Sequence, residues 1–117
     1  MTSPDEVRTA MRADLRTAMK AKDKSTVSAL RTALAAIDNA ESVDAGESAT
    51  TSAHVAGASL GAGSAEADRK QLSADDVAGI LRTQVLDLQQ QAEQYEALGR
   101  DDAAAELRAQ AAVIARY

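Results

Sequence analysis

The stretch that decides the fold is Leu72-Ser73-Ala74-Asp75-Asp76-Val77. It is typical of a helix start, because Ser73 is placed as the N-cap and Asp76 stands at N3, the two positions of a capping box. The apolar residues that follow recur in steps of three and four, which is the spacing of one helical face. They are Val77, Leu81, Val85, Leu88, Ala92, Tyr95 and Leu98. We therefore predict a helix over about residues 74–98, ended by Gly99 as a left-handed C′ residue.

Similar signals predict three further helices. After Gly99, Asp101 is positioned to cap a helix over about 101–116. At the other end of the chain, Ser3-Pro4-Asp5-Glu6 predicts a helix over about 4–22, and Asp23 can cap another over about 24–41. Their apolar stripes are Val7, Met11, Leu15 and Met19; Val27, Leu30, Leu34 and Ile37; and Ala104, Leu107, Ala111 and Ile114. Each pair of helices can bury its stripes only against the other pair, so we predict an all-α, four-helix bundle-like arrangement of two helical hairpins.

Between the two hairpins the composition changes to Ala, Gly, Ser and Thr, with few large apolar side chains. We predict a long flexible loop over about 42–71, because so little apolar surface cannot offset the entropy of ordering the backbone. A transient turn of helix is the alternative, although each glycine disfavours it by about 1 kcal/mol relative to alanine. His54, the single histidine, falls in this stretch. With no cysteine or second histidine to join it, no metal site is expected.

The length and composition limit what the protein can be. A chain of 117 residues has room for one domain, and the absence of Phe, Trp and Cys leaves an aliphatic core without disulfides. A reducing compartment, the cytoplasm, is the simplest location. No apolar run approaches the roughly 18 residues that cross a membrane, so no membrane association is expected. We find no catalytic site and expect no cofactor.

Positive charge is concentrated in the first helix and the turn that follows it. The net charge is −5, yet residues 8–24 contain six Lys or Arg against two Asp, a local charge of +4. Several of these cations are four residues apart, a spacing that can place a row of charge along a phosphate backbone. The candidate RNA-binding residues are Arg8, Arg12, Arg16, Lys20, Lys22, Lys24 and Arg31. The alternative is that they are solvated side chains on an outward face.

Two regions of the chain resemble the GatB/YqeY family. The first includes Asp14-Leu15-Arg16-Thr17-Ala18-Met19-Lys20-Ala21-Lys22-Asp23, Ser28-Ala29-Leu30-Arg31 and Ala36-Ile37-Asp38-Asn39-Ala40-Glu41. The second runs from Arg69-Lys70-Gln71-Leu72-Ser73 through Ala92-Glu93-Gln94-Tyr95-Glu96-Ala97-Leu98-Gly99-Arg100 and Ala105-Glu106-Leu107 to Tyr117. Together the two regions include most of the chain outside the predicted loop. The resemblance implies a YqeY-like helical domain, in a short single-domain form without the tail domain of longer members.

The family includes the C-terminal part of GatB, a subunit of the glutamine-dependent tRNA amidotransferase, a carbon–nitrogen ligase. There the helical domain helps to hold tRNA while catalysis occurs elsewhere, so the resemblance implies a non-catalytic accessory module in translation. Its partner would be tRNA, another RNA or a translation-related protein. A protein-interaction or structural module is the alternative. Family-motif residues to which we assign a structural role are Asp14, Met19, Asp23, Leu30, Asn39, Glu41, Tyr95, Gly99 and Arg100.

Overall fold

Residues 3–56 and 71–117 are described by a computed structural model of the chain. These residues form the helices α1 (Pro4–Ala21), α2 (Lys24–Ala56), α3 (Ala74–Ala97) and α4 (Asp101–Ile114), and no strand occurs among them. Short connections join α1 to α2 and α3 to α4, which gives two helical hairpins. The predicted all-α, four-helix fold is therefore confirmed for this part of the chain.

Helix α2 is longer than the sequence pattern predicted. It continues past residue 41 to Ala56, a total of 33 residues. Residues 42–56 contain several alanines, no proline and only Gly46 as a glycine, so no residue in the stretch removes a backbone donor. The prediction of a loop from residue 42 was wrong, and His54 belongs to a helix. The rest of the predicted loop, residues 57–70, lies outside the described residues.

The helix starts follow the predicted caps in three of four cases. The Glu6 N–H donates to Ser3 Oγ over 3.2 Å, and the Thr26 N–H donates to Asp23 Oδ1 over 3.2 Å. Ser73 and Asp76 form the full capping box, with two reciprocal bonds of 3.0 Å.

The start of α4 differs from the prediction. Arg100 is the N-cap and makes no side-chain capping bond, so Asp101 stands one position later, as the first helical residue. Arg100 is the single residue between Gly99 and the first helical residue, so no other residue can occupy the N-cap position. The carboxylates of Asp101 and Asp102 in the first turn still interact favourably with the helix dipole, by about 0.3–1 kcal/mol each.

Both hairpin corners close with the same hydrogen-bonding pattern, a Schellman motif. At the end of α1, Lys22 N–H donates to Met19 O over 3.2 Å, and Asp23 N–H donates to Ala18 O over 2.9 Å. At the end of α3, Gly99 N–H donates to the Glu96 carbonyl over 3.0 Å. The motif requires a left-handed residue, which is Gly99 (φ 75°) in one corner and Lys22 (φ 57°) in the other. A side chain in this conformation costs about 1–2 kcal/mol.

One core of aliphatic side chains joins the two hairpins. Its members are Val7, Met11, Ala29, Leu30, Ala33, Ile37, Val77, Leu81, Leu88, Ala111, Val113 and Ile114. Three residues that the stripes predicted as apolar contacts lie largely outside this core, namely Met19 (50% exposed), Tyr95 (38%) and Leu98 (75%). In the last turn of α1 the buried position is taken by Ala18, and Leu98 lies beyond the end of α3.

Polar contacts between helices lie around this core. Ser25 Oγ on α2 donates to the Glu106 carboxylate on α4 over 2.8 Å, and Tyr117 Oη, just after α4, donates to Asp14 Oδ2 on α1. Helix α3 packs most closely on α4, whereas its contact with α2 is looser and leaves a groove between them. Of the helices described, none combines the length and apolar character needed to cross a membrane.

Candidate functional site

An exposed row of cations follows the outer side of α1. Arg12, Arg16 and Lys20 are all exposed, and each step of four residues advances about 6 Å along the helix axis. Lys22 and Lys24, also exposed, extend the row into the α1–α2 corner. We call these five residues the cationic face.

No residue of the cationic face has a carboxylate partner within the described ranges, where the ion pairs involve Arg8 and Arg108 instead. The nearest acidic residue in sequence, Asp23, is already engaged, because its carboxylate accepts bonds from the Thr26 hydroxyl (2.7 Å) and backbone N–H (3.2 Å). These two bonds, the hydroxyl first, hold the pKa of Asp23 below its ordinary value, so it stays ionised as a cap. The five cations are thus exposed to solvent and form no ion pair within the described ranges, and the ionised carboxylate of Asp23 stands between Lys22 and Lys24 in sequence.

Arg8 was predicted to belong to this row, but its side chain does not lie on the exposed face with the other cations. Its side chain is only 17% exposed, pairs with Glu41 on α2 and lies 3.9 Å from Asp5. The reason is geometric. Four residues rotate an α-helix by about 400°, so a row with that spacing drifts by about 40° at each step. Arg8 therefore stands on the flank of α1 next to α2, where it joins the two helices.

A residue after the end of α4 adds a positive charge near the α1–α2 corner, which local sequence patterns did not predict. Arg116 is exposed, and its charge is a further cause of the lowered pKa of Asp23 after the bonds from Thr26. Residues 116 and 23 are brought together only by the packing of the hairpins. Arg31, another predicted RNA-binding residue, is exposed on α2.

The family-motif residues of the first hairpin have several different roles. Leu30 is fully buried in the core, and Asn39 lines the groove between α2 and α3. Asp14 accepts the hydroxyl of Tyr117, and Glu41 pairs with Arg8. Burial raises the pKa of Tyr117 to about 12, and its bond to Asp14 adds to this effect.

At the tip of the second hairpin, Arg100 and Tyr95 interact through both backbone and side chain. The Arg100 N–H donates to the Tyr95 carbonyl over 2.8 Å, which completes the Schellman motif at Gly99. The Arg100 guanidinium lies 5.9 Å from the centre of the Tyr95 ring, within cation–π range. This contact takes the place of the apolar one that often accompanies the motif. The backbone of Arg100 thus satisfies a terminal carbonyl of α3.

The groove between α2 and α3 is the second surface feature with a defined shape. It has a volume of about 940 Å³ and is lined mainly by small and uncharged polar residues. The lining residues are Thr32, Ala35, Ala36, Asn39, Ala40, Asp75, Asp76, Gly79, Ile80, Thr83 and Gln84. No Lys or Arg is among them, so the groove differs in charge from the cationic face.

Within residues 3–42 and 71–117, whose side chains the structure describes, no group of three or more Asp or Glu side chains is arranged to hold a metal ion. No protein-family model, no curated protein and no solved structure matches this chain. The fold and surface define a small all-α protein with an exposed row of cations along α1 and the adjoining corner.

Proposed function

We propose that the protein is a non-catalytic helical module that binds RNA through the cationic face. The observation that supports this proposal is the row from Arg12 to Lys24, exposed and without carboxylate partners in the described part of the chain. Its side chains can contact successive phosphates without rearrangement, because they project from one rigid helix and the corner that follows it. The resemblance to the GatB/YqeY family makes tRNA the first RNA to test.

Binding of this kind is electrostatic and reads backbone shape rather than sequence. The cationic face contains no aromatic side chain on which a base could stack. Each phosphate that is neutralised releases counterions and contributes about −0.7 to −0.9 to the slope of log K against log salt concentration. Contacts by all five cations would therefore give a slope of about −3.5 to −4.5.

The test is binding of unfractionated tRNA by wild-type protein and by the Arg12→Glu/Arg16→Glu double variant, measured by fluorescence anisotropy at several salt concentrations. We expect the wild-type affinity to fall steeply with salt and the double variant to lose binding. The matched control is Arg82→Glu/Arg100→Glu, which changes the net charge equally at exposed positions on α3 and just before α4 and breaks no ion pair of the described residues. Salt-insensitive wild-type binding, or equal losses in both variants, would contradict the proposal.

Arg8→Ala is a further control within α1. Since Arg8 is committed to Glu41, its removal should lower stability but leave the tRNA affinity close to that of wild type, once both proteins are measured well below their unfolding temperatures. A large loss of affinity in folded Arg8→Ala would mean that the RNA contact does not follow the exposed row.

The second candidate is a protein-interaction module, with a second copy of the chain as the partner. Leu86 (52% exposed) and Leu98 (75% exposed) leave apolar surface on and just after α3, and opposite charges lie on different faces, with Asp75 in the groove and the cationic face on α1. Complementary faces of this kind favour association of copies in a head-to-tail arrangement. Light scattering distinguishes the candidates, because a monomer at all concentrations excludes self-association.

A further inference from the structure

Lys22 is the only residue other than glycine with a positive φ in the described part of the chain. Its φ and ψ of 57° and 35° place it in the left-handed helical region, which a side chain disfavours and glycine tolerates. Positions of this kind, held against local preference, often belong to functional sites. Lys22 lies in the corner where the cationic face ends.

The second hairpin provides an internal comparison. Gly99 occupies the same position of the same motif, with a φ of 75°, and its N–H bonds the Glu96 carbonyl as the N–H of Lys22 bonds the Met19 carbonyl. The two corners therefore require the same backbone conformation. One uses the residue that this conformation favours, and the other uses a lysine.

No contact of the Lys22 side chain within the described ranges offsets this disadvantage. The side chain is exposed and has neither a hydrogen bond nor an ion pair there. A positive charge after α1 does interact favourably with the helix dipole, but Lys20 already supplies one in the last turn. Folding alone thus gives little reason for a lysine at this position.

The surroundings of Lys22 are suited to an anion. Lys20 and Lys24 flank it in sequence and are exposed, and Arg116, which follows α4, is also exposed and interacts electrostatically with Asp23. The intervening carboxylate of Asp23 keeps its negative charge, but it accepts bonds from the hydroxyl and N–H of Thr26 and forms no ion pair with these lysines. Two further lysines and an arginine therefore accompany Lys22 around the α1–α2 corner.

We propose that Lys22 is a phosphate-contacting residue of the cationic face, present in its left-handed position because its ammonium group binds the RNA backbone, at a cost to the stability of the fold. This inference rests on the RNA-binding function proposed above. It adds that binding and stability make opposite demands at residue 22.

The test compares Lys22→Gly with Lys22→Arg in the full chain. Thermal unfolding gives stability, and anisotropy with unfractionated tRNA gives affinity at several salt concentrations. Lys22→Gly should unfold about 4–8 °C higher than wild type, the shift expected for relief of one left-handed side chain in a small domain. Its affinity should fall about three- to tenfold, and its salt slope should be shallower by about 0.7–0.9, the value for one phosphate contact. Lys22→Arg should keep the wild-type affinity and slope.

Each outcome has a distinct meaning. Lys22→Gly with wild-type affinity and slope would overturn the inference, while the loss of binding in Arg12→Glu/Arg16→Glu would still support the proposed function. If Lys22→Gly is no more stable than wild type, the claim that binding and stability make opposite demands at residue 22 is overturned. Failure of wild-type protein to bind tRNA would remove the proposed function, and the inference about Lys22 with it.

Discussion

Tyr117 shows how one polar side chain can connect the two hairpins. Its ring packs against the core, while its hydroxyl donates to Asp14 on α1. The bond requires a protonated phenol, and both burial and the nearby carboxylate disfavour the phenolate, which raises the pKa of Tyr117 to about 12. The hydroxyl therefore remains a donor throughout the neutral range.

This shift makes the stability of the fold depend on pH under alkaline conditions. The pKa is about 10 in the unfolded chain and about 12 in the folded one, so the unfolded state loses its proton first as pH rises. The contribution of Tyr117 is complete below pH 10 and is lost between about pH 10 and 12. Tyr117→Phe should lower the free energy of unfolding by about 1 kcal/mol at neutral pH, the usual net value of one hydrogen bond.

The measurement is urea unfolding by circular dichroism at pH 7 to 11.5, with Tyr95→Phe as the control that removes the other tyrosine. The stability of Tyr117→Phe should fall less steeply above pH 10 than that of the wild type and the control. Parallel pH profiles for all three proteins would exclude Tyr117 as the source of the dependence.

At the level of single residues, the sequence predicted which side chains carry charge. It did not predict which of them are exposed and unpaired, and therefore able to bind a ligand. Arg8 and Arg12 belong to the same four-residue series, yet the rotation of the helix brings Arg8 against Glu41 and leaves Arg12 in solvent. The bonds from Ser25 to Glu106 and from Tyr117 to Asp14 join residues 81 and 103 positions apart. Contacts of this kind follow from the angles at which helices pack, which local patterns do not specify.

The individual helices were predicted well where a specific residue defines their ends. Ser3, Asp23 and Ser73 cap helices as their positions suggested, and Gly99 has the left-handed conformation. The end of α2 was not predicted, because between residues 42 and 56 there is no proline and no run of glycine to end it. Low apolar content alone was a poor indication of a loop.

Two glycines in different backbone conformations test how strongly local backbone preference contributes to stability. Gly99 has a φ of 75°, so Gly99→Ala should destabilise the fold by about 1 kcal/mol. Gly79 lies inside α3, and a Cβ added there meets no atom within 4 Å. Gly79→Ala should therefore stabilise the fold by about 0.5–1 kcal/mol.

Thermal unfolding of the two alanine variants beside wild type gives both values, and the opposite signs are the critical result. If Gly79→Ala is destabilising, the wall of the groove at α3 requires a glycine. If Gly99→Ala does not change stability, the tip of the second hairpin can adopt a different turn conformation that accepts a side chain.

For the molecule as a whole, the two hairpins depend on the core between them. Ile37 on α2 and Ile114 on α4 are both fully buried in it. Truncation of Ile114 to alanine should cost about 2–5 kcal/mol, because it removes buried methylenes and leaves a cavity. That is a large part of the roughly 5–15 kcal/mol by which domains are usually stable.

We expect Ile114→Ala to destabilise both hairpins in a single transition, measured by urea unfolding and by amide hydrogen exchange. Leu98→Ala is the control, since Leu98 is 75% exposed and its loss should change stability by less than about 0.5 kcal/mol. Amides of α1 and α2 that stay protected after α3 and α4 have exchanged would show that the first hairpin is stable by itself.

The bond between Tyr117 and Asp14 also gives the protein an internal optical reporter. The chain contains no tryptophan and only two tyrosines, and a carboxylate that accepts a hydrogen bond from a phenol quenches its fluorescence. In a Tyr95→Phe background all remaining emission comes from Tyr117. Its intensity should rise when the end of α4 separates from α1, so the docking of one hairpin on the other can be followed in real time without an attached dye.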